Sequence, residues 1–260
     1  MMHGSPALLA HARVPGFEPG LVFIHGLGSY GRCFRHAPDD ARLRGRAMLF
    51  PDLAGFGESP APDGFAFTME EQADAVSALA RSAGLARIAI VGHSMGGAIG
   101  VLLAERWKGE VTHFVSAVGN LIPEDCFMSR RMIEKDEAAY EASGFEALKR
   151  ALRPGGPEAL GPASTYYESL ERTTARAMWR SAADLVHLSD EGDLLGRFLA
   201  LRSARLYLYD NEHPIPAHLS RALAGGGVDV LCIPDSGHGL MEDNPDAFYG
   251  AVAEFLARDS

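Results

Sequence analysis

With 260 residues, 47% of them apolar and 22% charged, the chain can bury a large core without staples, either as one generous domain or as a core with an insertion. A formal net charge of −10 argues against nucleic acid, which clustered Lys and Arg would attract. The three distant cysteines, Cys33, Cys126 and Cys232, suggest neither a disulfide framework nor a zinc site. The opening MMHGSPALLAHARVPG lacks a basic segment followed by a sustained apolar stretch, and no apolar run approaches the roughly 18–20 residues of a membrane span. A cytoplasmic chain is expected.

In chain order, residues 7–14 and 21–24 are candidate strands, the second an apolar run that stops at His25-Gly26. A helix is predicted over 32–43. A strand over 47–50 stops at Pro51-Asp52 and enters a glycine-rich turn. Over 69–83, Ala73, Val76, Ala80 and Ala83 share one helical face, with Thr68 as N-cap and Glu71 completing a capping box. A buried strand over 87–91 leads through Gly92-His93-Ser94-Met95-Gly96 into a helix over 98–107. A strand follows at 112–118.

From 121 to about 201 the alternation of strand and helix stops, and the chain reads as helices and loops. It resumes with a strand at 206–209, a helix at 216–224, a strand at 228–233 and a helix at 245–257. Such alternation implies βαβ units and a mostly parallel sheet. The expected fold is α/β, a three-layer sandwich with a mostly parallel central sheet. Residues 1–120 and 202–260 form its core domain, and residues 121–201 a helical lid inserted between two strands.

Three short runs carry chemistry. Gly92-His93-Ser94-Met95-Gly96 lies between a strand and a helix. Small flanking residues there let strand and helix approach, lift the Ser94 hydroxyl clear of the sheet, and aim the Met95 N–H at a developing oxyanion. At His25-Gly26-Leu27-Gly28, glycine lets the backbone turn so that the Leu27 N–H becomes a second oxyanion donor. A plain turn with a surface His25 is the alternative. Ser236-Gly237-His238-Gly239 follows the last strand. A serine hydroxyl needs a base of pKa near 7 within reach, and His238 is the candidate.

Together with Asp52-Leu53-Ala54-Gly55-Phe56-Gly57-Glu58-Ser59 and Gly237-His238-Gly239-Leu240-Met241-Glu242-Asp243-Asn244-Pro245, these runs resemble the α/β-hydrolase superfamily. The resemblance covers both flanks of the chain well and the lid poorly. It implies a serine esterase with a catalytic triad and an oxyanion hole. Relatives with Asp at the nucleophile seat open epoxides or displace halides, whereas Ser94 points to acyl chemistry or carbon–carbon bond hydrolysis. Asp52 and the glycines after it match a turn that is mainly structural.

The chain departs from the family at the triad acid. Aligned from the strand at 206–209, the seat falls on His213; aligned backwards from Pro216, it falls on Glu212. Asp210 abuts the strand end. A second seat used by some relatives, after the strand at 112–118, reads Val118-Gly119-Asn120, with Asp125 the nearest carboxylate downstream. Asp125 is favoured to orient His238, with Asp210 and Glu212 as the alternatives.

The expected activity is acyl transfer to water through an acyl-enzyme on Ser94. The partner is a small to medium, mostly apolar ester, thioester or lactone; no metal or organic cofactor is implied, and neither nucleic acid nor membrane. Nothing in the sequence sets an oligomeric state. The alternatives are a biosynthetic catalyst of cyclisation or C–C cleavage, and a non-catalytic ligand-binding protein on the same scaffold. In the lid, Phe127, Met128, Met132, Tyr166, Tyr167, Met178 and Trp179 either line an apolar pocket over Ser94 or pack the lid onto the core. Arg130-Arg131 either attracts a carboxylate or is a solvated helix face.

Overall fold

The computed structural model describes residues 9–158 and 164–258. Seven strands form one sheet: β1 (His11–Val14), β2 (Phe17–Ile24), β3 (Arg46–Pro51), β4 (Ile88–His93), β5 (Val111–Ala117), β6 (Ala204–Asp210) and β7 (Asp229–Ile233). Their spatial order is β1-β3-β2-β4-β5-β6-β7. Only the edge strand β1 runs antiparallel, pairing His11 with Pro51 and Val14 with Met48; every other neighbouring pair is parallel. The apolar runs in β2, β4 and β5 are those of strands buried on both faces. Residues 7 and 8 of the predicted first strand lie outside the described residues.

Strand periodicity sorts the core into two. Val22, Ile24, Leu49, Ile88, Ile90 and Phe114 face one side; Leu21, Phe23, Met48, Phe50, Val91 and Val115 face the other. Helices α1 (Met69–Ser82) and α2 (Met95–Arg106) cover the first side. Between β5 and β6 come α3 (Phe127–Ile133), α4 (Glu137–Ala139), a π-helical turn over Tyr140–Gly144, α5 (Phe145–Leu152), α6 (Tyr166–Leu170), α7 (Ala175–Glu191) and α8 (Leu194–Ala200). Tyr140, Phe145, Leu170, Met178 and Leu185 of this stretch share one apolar core with Val76 and Leu102 of α1 and α2. Helix α9 (Ala217–Gly225) joins the same side through Leu219 and Leu223. Helices α10 (Leu240–Asp243) and α11 (Pro245–Leu256) cover the opposite side, where Phe248, Val252 and Phe255 meet Phe34 and Leu43.

The helix predicted over 32–43 is replaced by two 3₁₀ turns, Gly31–Phe34 and Ala41–Leu43. Pro38 sits between them: it supplies no N–H and disfavours helix in the residue before it. Elsewhere the elements fall where the sequence puts them, give or take a few residues at their ends. Among the described residues no helix is long and apolar enough to cross a membrane.

The order matters because β2 lies between β3 and β4, so the chain winds outward from it in both directions. In parallel sheets ligands gather at such a switch point, outside the carboxyl ends of the strands. The segments following β2, β4, β5 and β7 emerge at that edge and carry Leu27, Ser94, Asp125 and His238 respectively, and Asp210 ends β6 there.

Helix α1 starts with the predicted capping box. The Glu71 N–H donates to the Thr68 hydroxyl at 3.1 Å, and Glu71 Oε2 accepts from the Thr68 N–H at 3.4 Å. Thr68→Ala removes the side-chain acceptor and is expected to cost about 1 kcal/mol. For a chain of this size that lowers the thermal midpoint by about 2–4 °C, measurable by calorimetry with the activity unchanged.

Candidate active site

Ser94 stands between the last residue of β4 and the first of α2 with φ 52° and ψ −121°, a backbone region that side chains rarely adopt. Close packing holds it there. A Cβ on Gly92 would run into the Gly96 carbonyl, and one on Gly96 into the Ile24 carbonyl of β2. The Ser94 N–H donates to Ala117 O at 3.0 Å, and its carbonyl accepts from the N–H groups of Gly97 (2.8 Å) and Asn120 (3.2 Å). The turn is thus strapped to β5 and its following loop. Ser94 keeps some accessible surface while Met95 is fully buried. As the first helical residue, Met95 has an N–H with no acceptor in its own helix.

The loop after β2 faces this turn: a side chain on Gly26 would lie 3.0 Å from Ser94 Cβ and 3.1 Å from His93 Nδ1. His25, considered above as a surface residue, is fully buried. The Leu53 N–H donates to His25 Nε2 at 2.9 Å, so Nδ1 carries the proton and donates to Gly26 O at 2.8 Å. Desolvation lowers its pKa to about 4, which keeps it neutral. His25 therefore ties the Gly26-Leu27-Gly28 loop to the turn after β3. That turn is built on Asp52, whose carboxylate accepts from the Gly31 N–H (2.8 Å) and the Glu58 N–H (2.9 Å).

His238 lies between β7 and α10. Its backbone carbonyl accepts from His93 Nε2–H at 2.8 Å, and the two rings stand 4.9 Å apart. The residue before Ser94 thereby holds the loop that carries His238. Burial, followed by the nearby His238 charge, lowers the His93 pKa to about 3, so His93 serves as a neutral donor. His238 keeps solvent-accessible surface, but the surrounding protein lowers its pKa by desolvation; the Asp210 charge raises it and His213 lowers it again.

The candidate carboxylates sit in different settings. Asp125 Oδ2 accepts from the N–H groups of Leu121 (2.9 Å) and Ile122 (3.1 Å), closing the turn Pro123–Cys126. It is engaged by its own loop, and the charge that acts on His238 is that of Asp210. Asp210, at the end of β6, is buried. Its Oδ1 accepts from the Glu212 N–H (3.0 Å), the His213 N–H (2.7 Å) and His213 Nδ1–H (2.9 Å). Its Oδ2 is buried with no partner among the described residues. Glu212 is exposed, with Oε2 beside Gly237. Among the described residues no group of three or more His, Cys, Asp or Glu is arranged to hold a metal ion.

The stretch between β5 and β6 stands over the Gly26-Leu27-Gly28 loop. The Ser169 hydroxyl donates to Gly28 O at 2.5 Å. A Cβ on Gly28 would lie 2.7 Å from the Tyr166 hydroxyl, 3.0 Å from Met178 Cε and 3.1 Å from Leu170 Cδ2. Tyr166 and Met178 are thus brought to the site. Met132 is buried, Met128 and Tyr167 are partly so, and Phe127 is exposed. The Trp179 indole N–H donates to Lys135 O at 2.8 Å. Arg130 pairs with Asp190 and Arg131 with Glu158, as solvated helix faces do. Sequence reasoning missed the roles of Ser169, Leu170 and His93; only the place of His93 beside Ser94 hinted at one.

A family model described as "Alpha/beta hydrolase family" matches residues 21–251. The chain is 25% identical to the magnesium-chelatase 30 kDa subunit of Rhodobacter capsulatus, covering 93% of this chain and 88% of that one. It is 27% identical to the sn-1-specific diacylglycerol lipase ABHD11 of Mus musculus, covering 92% and 81%. In structure it resembles the enol-lactonase of Burkholderia xenovorans LB400, with a TM-score of 0.78, 20% identity and 96% of each chain covered.

Burial raises the Asp125 pKa from 3.8 to about 6, although its two N–H partners lower it in part. The folded chain then holds this proton more tightly than the unfolded chain does. The associated stability is complete below the unfolded value and is lost as pH rises through about 6. Asp125→Asn is neutral and keeps an acceptor for both N–H groups. It is expected to melt above wild type at about pH 7.5 and to lose that advantage near pH 4. Thermal melts across this range check the sign, and a variant less stable than wild type at the higher pH would reverse it.

Proposed function

The chain belongs to the α/β-hydrolase family and is a hydrolase; we propose that it acts through Ser94, with His238 as general base and Asp210 as the acid that orients it. The observation that carries the reading is the joint fixing of three parts. The strained turn presents Ser94, the Gly26-Leu27-Gly28 loop packs against its Cβ, and His93 of the same turn holds the His238 carbonyl. Asp210 replaces Asp125 in this reading because Asp125 is engaged by its own turn, while Asp210 offers a buried free oxygen and its charge favours the protonated His238 ring.

His238 takes the proton from Ser94 Oγ as that oxygen attacks the substrate carbonyl carbon. The N–H groups of Leu27 and Met95 hold the oxyanion. The tetrahedral intermediate collapses, the C–O bond to the leaving group breaks, and His238 returns its proton to the departing alkoxide. Water then loses a proton to His238 and attacks the acyl-enzyme, regenerating Ser94 and releasing the acid. Asp210 Oδ2 accepts the Nδ1–H of His238 and stabilises the imidazolium in both halves.

The substrate class is a small to medium, mostly apolar ester, thioester or lactone. The names of the similar mouse lipase and Burkholderia lactonase support carboxylic ester chemistry. Residues 121–201 form the lid, and their apolar side chains Leu170 and Met178 over Gly28 support an apolar pocket. The cysteines are free thiols, in keeping with a cytoplasmic location.

Ser94→Ala is expected to abolish labelling by a fluorophosphonate probe while the protein stays folded; labelling that persists would sink the assignment. Asp210→Asn should lower kcat by about 10³–10⁴-fold on a p-nitrophenyl ester, whereas Asp125→Asn should change it less than about tenfold. His238 must be neutral to act, and desolvation lowers its pKa from 6.5. The acid limb of kcat/KM should therefore have its midpoint below pH 6.5. A midpoint above that value would mean the ring is not desolvated.

A further inference from the structure

Aligned from its strand, the seat of the triad acid falls on His213, and the proposed triad gives that imidazole no task. Its ring joins solvent to a buried carboxylate: the side chain of His213 is 64% exposed and that of Asp210 only 1%. His213 Nδ1–H donates to Asp210 Oδ1 at 2.9 Å. The backbone N–H groups of Glu212 and His213 donate to the same oxygen at 3.0 Å and 2.7 Å. Three donors thus fix Oδ1, and the buried Oδ2 has no partner among the described residues.

The loop that carries His213 is tied to the loop that carries His238. The Ser236 N–H donates to Asn211 Oδ1 at 3.0 Å, and a Cβ on Gly237 would lie 2.9 Å from Glu212 Oε2. Around His213 the charged groups are Asp210, the exposed Glu212 of its own loop, and Asp243 of α10. Asp243 accepts from the Gly237 N–H at 3.1 Å and lies within electrostatic reach of Asp210, Glu212 and Glu242. From the β7–α10 loop, His238 is acted on by both Asp210 and His213.

Of the three donors on Oδ1, only the His213 ring can change charge. Neutral, it leaves the Asp210 carboxylate at full charge. Protonated on its outer nitrogen, it becomes a cation hydrogen-bonded to that carboxylate and offsets the charge. A pair of two exposed groups would be screened by solvent; here the carboxylate is buried, so the offset is felt by other groups in the same interior.

We propose that His213 is a positioning residue that shares Asp210 with His238: it holds Oδ1 so that Oδ2 is left for the catalytic ring, and its charge sets how much of the carboxylate's charge reaches the imidazolium formed on His238. The inference rests on the assignment of Asp210 as the triad acid. A neutral residue at 213 then favours the imidazolium of the transition state, and a cation there opposes it.

The test replaces His213 by Asn, a neutral donor whose amide nitrogen takes the place of Nδ1, and by Lys, a permanent cation. His238 is followed through its ring NMR signals in Ser94→Ala protein, where no turnover occurs, and its signal is assigned by its loss in His238→Gln. The titration midpoint should be highest with Asn at 213, intermediate in wild type and lowest with Lys, the extremes differing by about 0.5 pH unit or more. With Ser94 restored, the acid limb of kcat/KM on a p-nitrophenyl ester should follow the same order. The alkaline plateau of kcat should be about threefold or more lower in His213→Lys than in His213→Asn. A side chain that merely packs the loop would not move the midpoint in opposite directions. Asp210→Asn should lower both the His238 midpoint and kcat. If it does so while the two His213 variants share one midpoint, or rank in reverse, the role of His213 is overturned and the acid assignment stands. If Asp210→Asn keeps the wild-type midpoint and rate, the acid assignment falls and the inference with it.

Discussion

The backbone of Ser94 is held in a conformation that costs on the order of 1–3 kcal/mol, and the geometry of the site depends on it. The strain persists because β2, β4 and α2 meet too closely for the turn to relax. The Ile24 carbonyl occupies the space that a Gly96 side chain would need, and the Gly96 carbonyl fills the corresponding space at Gly92. Bonds from Ser94 to Ala117, Gly97 and Asn120 close the turn on its other sides. Any substitution that separates strand and helix releases the serine, and with it the register between its hydroxyl and the Leu27 loop.

Around this turn three imidazoles are given different tasks by their surroundings. His25 and His93 are buried and neutral. One links the loop after β2 to the turn after β3, and the other links the serine turn to the His238 loop. Each has its tautomer fixed by an unambiguous backbone partner. His238 alone of the three keeps contact with solvent, and a carboxylate charge offsets part of its desolvation.

The stretch between β5 and β6 is bound to the same machinery. Ser169 donates to Gly28, and the Met69 N–H that opens α1 donates to Asp184 of α7 at 2.7 Å. Thr165 donates to the buried Glu242, which also pairs with Arg35. Its apolar side chains merge with those of α1 and α2 in one core. The side chains of this stretch that meet Gly28 are therefore positioned by the sheet's own packing.

Much of this could be read from the sequence because it is local. The alternation of apolar runs, the Thr68 and Glu71 cap, the glycines around Ser94 and the Pro51-Asp52 turn each follow from residues within one turn or strand of each other. The helix expected over 32–43 failed for an equally local reason, Pro38. What the sequence could not decide was the setting of each candidate carboxylate. Asp125 and Asp210 lie in loops of similar polarity, and only three-dimensional packing shows that the first is taken up by its own backbone while the second keeps a buried oxygen free. The meeting of Tyr166 with Gly28 was hidden for the same reason. It spans more than a hundred residues, and contacts at that separation are set by how strands register and helices pack, which no short run of sequence encodes.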